Sequence, residues 1–159
     1  MNILAQVWRE VGRHLEIQES VRRIAPMLAA HLPVHAVLLR KLDRDPMRLT
    51  TVASARVDTG DTVETTSARS QCEDDAAKQL MQFLSDGNAF FVNANRASAF
   101  AQAVLPAGLR AAAVVLPLVA EERPLGVVLL LTAPETTLDA EQLRAAAQLI
   151  EPFSVAFGN

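Results

Sequence analysis

Two apolar runs near the C-terminal end constrain this chain more than any other feature. Ala111–Ala120 and Leu125–Ala133 are free of charge, and only Glu121, Glu122, Arg123 and Pro124 separate them. Each falls well short of the ~20 apolar residues that cross a bilayer. Each has strand length, is rich in Val and Leu, and lacks the apolar–polar alternation of a half-exposed strand. They read as strands Ala111–Val119 and Leu125–Leu131, joined by the turn Ala120–Pro124 and buried on both faces. Such a pair needs covering layers over its sheet. Pro117 cannot donate to a ladder and belongs at an edge or bulge, while Gly126 inside a strand marks a close backbone approach.

The rest of the chain supplies those layers. Leu4, Trp8, Val11 and Leu15 form one helical stripe, and Ile17, Val21, Ile24, Leu28 and Leu32 a second, with Pro26 as a kink or restart and Pro33 as the stop. Val34–Leu42 and Leu49–Ala55 read as a hairpin about the turn Asp43-Arg44-Asp45-Pro46. Arg56–Gln71 is polar and aperiodic and reads as a long loop. Glu73–Ser85 is a helix with Ala77, Leu80, Met81 and Leu84 inward and Gly87 as its stop. Ala89–Val92 is a short strand, and Asn95 caps a short helix holding Phe100, Ala101 and Val104.

The last helix opens with Asp139 as N-cap, Gln142 as its capping-box partner and Leu138 stapled to Leu143. Its inner stripe is Leu143, Ala146, Ile150, Phe153 and Phe157, with a bend at Pro152. The order ααββαβαββα, with short turns between successive strands, is that of an α+β fold with an antiparallel sheet.

Composition narrows the function. A length of 159 residues fits one domain, and 50% apolar with 21% charged residues is a globular balance. The net charge of −3 lacks the basic excess of a nucleic-acid surface, and one Trp with no Tyr leaves little for base stacking. The N-terminus shows no basic stretch followed by an apolar core, so a cytoplasmic protein is expected. A single cysteine, Cys72, excludes an intramolecular disulfide, a Cys-rich zinc site and a two-thiol relay. No phosphate-binding GxxxxGK[ST], nucleophile-elbow GxSxG or zinc HExxH motif occurs.

The stretch Val114-Val115-Leu116-Pro117-Leu118-Val119, then a polar turn, Leu125-Gly126-Val127-Val128-Leu129-Leu130 and the capped helix from Asp139 resembles a GAF domain. The resemblance spans nearly the whole chain, and Val21–Leu42 is similar to the entry helix and first strand. Among GAF domains it is most similar to the N-terminal sensor domains of sigma-54-dependent regulators of the formate-hydrogenlyase-activator type. The resemblance implies one domain over 1–159: N-terminal helices over 1–32, sheet with inserted helices over 34–133, and a C-terminal helix over 139–157. Five or six antiparallel strands would carry the terminal helices on one face and short helices and loops on the other. The implied role is a non-catalytic regulatory domain that binds a small effector and signals through a homodimer to the output of a longer regulator. A dimerisation module whose pocket its own side chains fill is the alternative.

The resemblance also implies where a ligand would sit. Arg56, Arg69, Arg96 and Arg110 offer forked donors for a carboxylate or phosphate, with Phe91 and Phe100 as walls and Asn93 beside them. Dimer contacts fall to Leu4, Trp8, Val11, Leu15, Leu143, Ile150 and Phe153. No cofactor is expected. His31 and His35 straddle a helix–strand junction around Pro33, and Asp58, Asp61, Cys72, Asp74 and Asp75, the candidates for a non-haem iron sensor, lack a diagnostic spacing. Cys72 is followed by Glu73 rather than the His of bilin-attaching relatives, and the Asn-Lys-Phe-Asp-Glu motif of phosphodiesterase GAF domains is absent. The branch that reduces free methionine sulfoxide uses several cysteines, which a chain with one cannot supply.

Overall fold

The structure, a computed structural model, describes residues 3–11, 17–44, 47–63, 69–71, 74–94, 98–106 and 108–158, with the backbone alone for 8–11 and 69–71. Its elements are α1 (Ile3–Val11), α2 (Ile17–Ala29), β1 (Ala36–Asp43), β2 (Arg48–Arg56), β3 (Arg69–Gln71), α3 (Asp74–Asp86), β4 (Phe90–Val92), α4 (Ala99–Val104), β5 (Ala112–Ala120), β6 (Arg123–Thr132), α5 (Ala140–Ala147) and α6 (Ile150–Gly158). The strands form one sheet in the order β3-β2-β1-β6-β5-β4, antiparallel throughout.

The apolar runs become β5 and β6 because successive residues feed different layers. Val114, Leu116, Leu118, Val128 and Leu130 meet Ile3 and Val7 of α1, Val21, Ile24 and Leu28 of α2, and Ala146, Leu149 and Phe153 from the C-terminal helices. Ala113, Val115, Val127, Leu129 and Leu131 meet Leu80 and Leu84 of α3 and Phe100, Ala101 and Val104 of α4. Terminal helices therefore cover one face and the inserted helices the other, as the α+β reading requires. No described helix is long and apolar enough to cross a membrane.

Pro117 and Gly126 sit as their chemistry demands. β4 reaches only Ala113–Val115, so Pro117, paired with Val127, lies where β5 has no further strand beside it. A Cβ on Gly126 would strike the carbonyl oxygen of Arg40 in the neighbouring strand. The Asp139 capping box also forms: Gln142 N–H donates to Asp139 Oδ1 at 2.7 Å and Asp139 N–H to Gln142 Oε1 at 3.1 Å.

Five local expectations are corrected. The stretch read as a loop over Arg56–Gln71 contains β3, which pairs Arg69–Gln71 with Arg48–Thr50. An edge strand needs only ladder bonds, so its polar residues hid it. The turn expected over Ala120–Pro124 shrinks to Glu121-Glu122, with φ of 52° and 66°. Val119 pairs with Pro124 and Leu118 with Gly126, so Leu125 is the extra, bulged residue. The final helix is two: α5 ends at Ala147, and Pro152, third in α6, stands in the first turn, where its missing N–H costs nothing. Of the two outcomes expected at Pro26, a kink or a restart, the restart is overturned: α2 runs on through it. Ser98, not Asn95, caps α4: its hydroxyl accepts from Ala101 N–H at 3.0 Å, while Asn95 lies outside the described residues.

Candidate functional site

The α3 side of the sheet is built around a buried cation. Leu38, Arg40 and Leu42 alternate along β1, so all three point to the α3 layer, and Arg40 is 0% exposed. Its Nη1 donates to Val104 O at 2.8 Å, its Nη2 to Leu49 O at 3.2 Å and its Nε to Thr51 Oγ1 at 3.2 Å. A register shift between Leu39 and Arg40 accompanies it, leaving Val52 of β2 as the extra residue. Leu38, Leu80, Val104 and Leu129 are 0% exposed, so the described residues between sheet and helices are packed against one another. The segments 64–68, 72–73 and 95–97 lie outside the described residues.

At the β4 edge three aromatic rings meet. Phe83 and Phe100 lie 5.0 Å apart, and Phe90 stands edge-on to Phe100 at 5.8 Å. Phe100 is buried and its N–H donates to Gln79 Oε1 at 3.1 Å, while Phe90 is 52% exposed. Phe91, expected as a wall, faces the terminal helices instead, because strand alternation sends it opposite to Phe90 and Val92. Asn93 follows β4 directly and is exposed.

Two contiguous clefts open along the outer side of α3. One, of about 660 Å³, is lined by Met47, Ala77, Lys78, Met81, Gln82 and Ser85. The other, of about 480 Å³, shares Met81 and Ser85 and adds Arg44, Leu84, Val119, Glu122 and Pro124. The tips of the β1–β2 and β5–β6 hairpins thus face α3 across them. A third cleft, of about 520 Å³, lies between the β5–β6 turn and α6 and is lined by Val119, Ile150, Ser154 and Val155 among others.

Of the four candidate arginines, the three whose backbone is described start from well-separated points on the sheet. Arg56 ends β2 beside Ala36, whereas Arg69 pairs with Thr50, six residues or about 20 Å back along that strand. Arg110 precedes β5 at the same end of the sheet as Arg56, three strand spacings or about 14 Å across. Arg96 lies outside the described residues. Arg56 Nε donates to Asp58 Oδ1 at 3.4 Å, and that hydrogen bond holds the Asp58 carboxyl below its ordinary range.

His31 and His35 are both exposed, and His35 N–H donates to Leu131 O at 2.9 Å. Among the described residues no three His, Cys, Asp or Glu side chains gather as metal ligands, and Cys72 lies outside them.

On the terminal helices, Ile3 and Val7 carry the buried stripe of α1, with Leu4 half-buried beside them. The side chains of Trp8 and Val11 and all of Leu15 lie outside the described residues. Phe153 is 3% exposed in the domain's own core, Leu143 and Ile150 pack half-buried against that core, and Val155 is 39% exposed.

No family model and no curated protein sequence matches the chain. Solved structures match over nearly its full length. The phycocyanobilin-bound GAF domain of a cyanobacterial phytochrome gives a TM-score of 0.72 at 15% identity, covering 98% of this chain and 93% of that one. The GAF domain of an Acinetobacter phosphoenolpyruvate-protein phosphotransferase gives 0.65 at 14% identity, covering 98% and 90%. The free methionine-R-sulfoxide reductase of Neisseria meningitidis, in complex with its substrate, gives 0.67 at 13% identity, covering 98% and 86%. At these identities the likeness is one of architecture: the chain has the fold of a GAF domain.

Proposed function

We propose that the chain is a non-catalytic regulatory domain that takes a small effector on the α3 side of its sheet. Through a homodimer of its terminal helices it passes occupancy to the output domain of a transcriptional or signalling regulator. The sequence resemblance to sensors of sigma-54-dependent regulators supports that output. The observation that supports an effector is the pair of adjoining open clefts along α3, about 660 and 480 Å³, whose surfaces combine apolar side chains with a few polar groups. Two of the solved structures hold small molecules, phycocyanobilin in one and a substrate in the other. Effector binding would favour one arrangement of hairpin tips and end helices over another.

A thermal-shift screen against a broad panel of small anions, zwitterions and neutral metabolites tests this. A ligand at ~100 times its dissociation constant adds about 2.7 kcal/mol of stability. A flat response across the panel would leave the second reading, a ligand-free dimerisation module. The tight packing of Leu38, Leu80, Val104 and Leu129 speaks for that reading.

A further inference from the structure

We infer that Gln18 and Ser54 form a latch through which the α3 side of the sheet acts on the start of α2. The inference rests on the reading above that the α3 side takes an effector, and it names a route from that side to the terminal helices. Ala53 and Ala55 of β2 pack with the terminal helices, so the Ser54 side chain between them points to the opposite, α3 side. There the buried Ser54 hydroxyl accepts from Val63 N–H at 2.9 Å. Val63 itself packs half-buried against the apolar cluster that holds Leu80, Val104 and Leu129.

The backbone of Ser54 is held from the other layer. β3 pairs only with Arg48–Thr50, so past Thr50 no described strand runs along the outer edge of β2. At Ser54 a side chain takes the strand's place. Gln18 Nε2 donates to Ser54 O at 2.8 Å, and Ser54 N–H donates to Gln18 Oε1 at 3.2 Å. A carboxamide offers the same donor and acceptor that a neighbouring strand would. Gln18 stands in the first turn of α2, so Ser54 alone joins that turn to Val63 across the edge of the sheet.

The chain between Ser54 and Val63 is tied to itself and to α2. Arg56 N–H donates to Asp61 O at 2.8 Å and Gly60 N–H to Arg56 O at 2.9 Å, which closes a turn. Gly60 lies against Arg22, one helical turn after Gln18: a Cβ there would meet Arg22 Nε at 3.0 Å. A displacement of Val63 is therefore taken up at Ser54 or at this turn, and both touch α2. Apolar helix–sheet contacts tolerate sliding. A two-bond pair at 2.8 and 3.2 Å does not, since a shift of about 0.5 Å breaks it.

Native-state hydrogen exchange, followed by NMR on the whole chain, tests the latch from both ends. Gln18→Ala removes both bonds to Ser54 and leaves the atoms of the Ser54–Val63 bond in place. Val63 N–H should then exchange about tenfold faster. His35 N–H, which donates to Leu131 O at 2.9 Å, serves as the control and should stay within about twofold of the parent. Ser54→Ala removes only the hydroxyl and leaves both backbone groups for Gln18. The N–H at position 54, corrected for its intrinsic rate, should exchange about tenfold faster. A Val63 rate that Gln18→Ala leaves unchanged overturns the latch, and so does an unchanged rate at position 54 in Ser54→Ala. A rise shared equally by His35 also overturns it, because it marks general loosening of the fold. No ligand enters this experiment, so the two readings fail separately. Coupled exchange with a flat thermal-shift screen removes the effector and leaves the mechanical tie. Uncoupled exchange with a ligand found in the screen removes the latch alone.

Discussion

Arg40 joins β1 to β2 and to the end of α4 through one side chain. Its donors meet Val104 O, Leu49 O and Thr51 Oγ1 inside an apolar layer, so truncation strands acceptors that water does not reach. Arg40→Ala should lower stability by about 3 kcal/mol or more in urea unfolding, and Arg40→Lys should recover only part of it, since an ammonium cannot span the fork. Gly126 is placed against the same residue's backbone. Gly126→Ala must push β6 away from β1 and should cost about 2 kcal/mol or more, measured by the same unfolding experiment. The two sites were unequally legible. Gly126 announced itself as a glycine in an apolar strand, whereas Arg40 needed the further step of counting alternation from Leu38 to Leu42. Phe90 was missed for the same reason: in Phe90-Phe91-Val92 only parity decides which ring faces which layer.

Asp58 offers a titration check at this scale. Its folded pKa is depressed by Arg56, so the pairing helps above the unfolded value and is lost as pH falls through the folded one. Arg56→Gln should bring the NMR midpoint of Asp58 back up toward that of an unpaired aspartate.

Among the elements, the β5–β6 hairpin carries the most unusual local chemistry. Replacing Glu121-Glu122 by Asn-Gly should stabilise the domain by about 1–2 kcal/mol, read as a higher melting temperature. Apolar runs make both strands plain in the sequence, but the turn is shorter than its polar residues suggest, because Pro124, a turn-former by composition, pairs with Val119 across a bulge. Short elements were harder. β3 has three residues and no apolar pattern, and the junction between α5 and α6 falls at Gln148-Leu149, where Leu149 is buried and continues the helical stripe. Nothing in hydrophobic spacing marks a break that preserves the buried face. The α5 start was legible because capping is a local matter of two side chains. Asp139→Ala should cost about 1 kcal/mol on melting.

For the molecule as a whole, two covered faces mean that apolar terminal helices are needed at home before they can serve a partner. Phe153 illustrates the consequence: expected at a dimer contact, it is 3% exposed within the fold. Phe153→Ala should destabilise the domain by about 3 kcal/mol or more, whatever the oligomeric state. Val155 is the cleaner probe. It is 39% exposed on α6, beside the cleft that Ile150 lines. Light scattering of concentrated protein should show a dimer, and Val155→Glu should shift it to monomer with little change in melting temperature. A monomer before substitution would remove the dimer from the proposed mechanism. The layer order was legible from amphipathic stripes alone. Which stripes have surface to spare was not, because exposure is a property of the assembled layers.

Val119 lines the cleft beside α3 with one flank and the α6 cleft with the other, and its N–H donates to Ser154 Oγ of α6 at 3.3 Å. One residue of backbone thus separates two recesses on opposite sides of a sheet. Under the proposed function, an effector that re-seated the hairpin tip would pull on the last helix through this bond, and a partner that gripped that helix would steady the tip. Thermodynamic reciprocity would then require the two influences to be equal in size, so that any such coupling could be measured from either end.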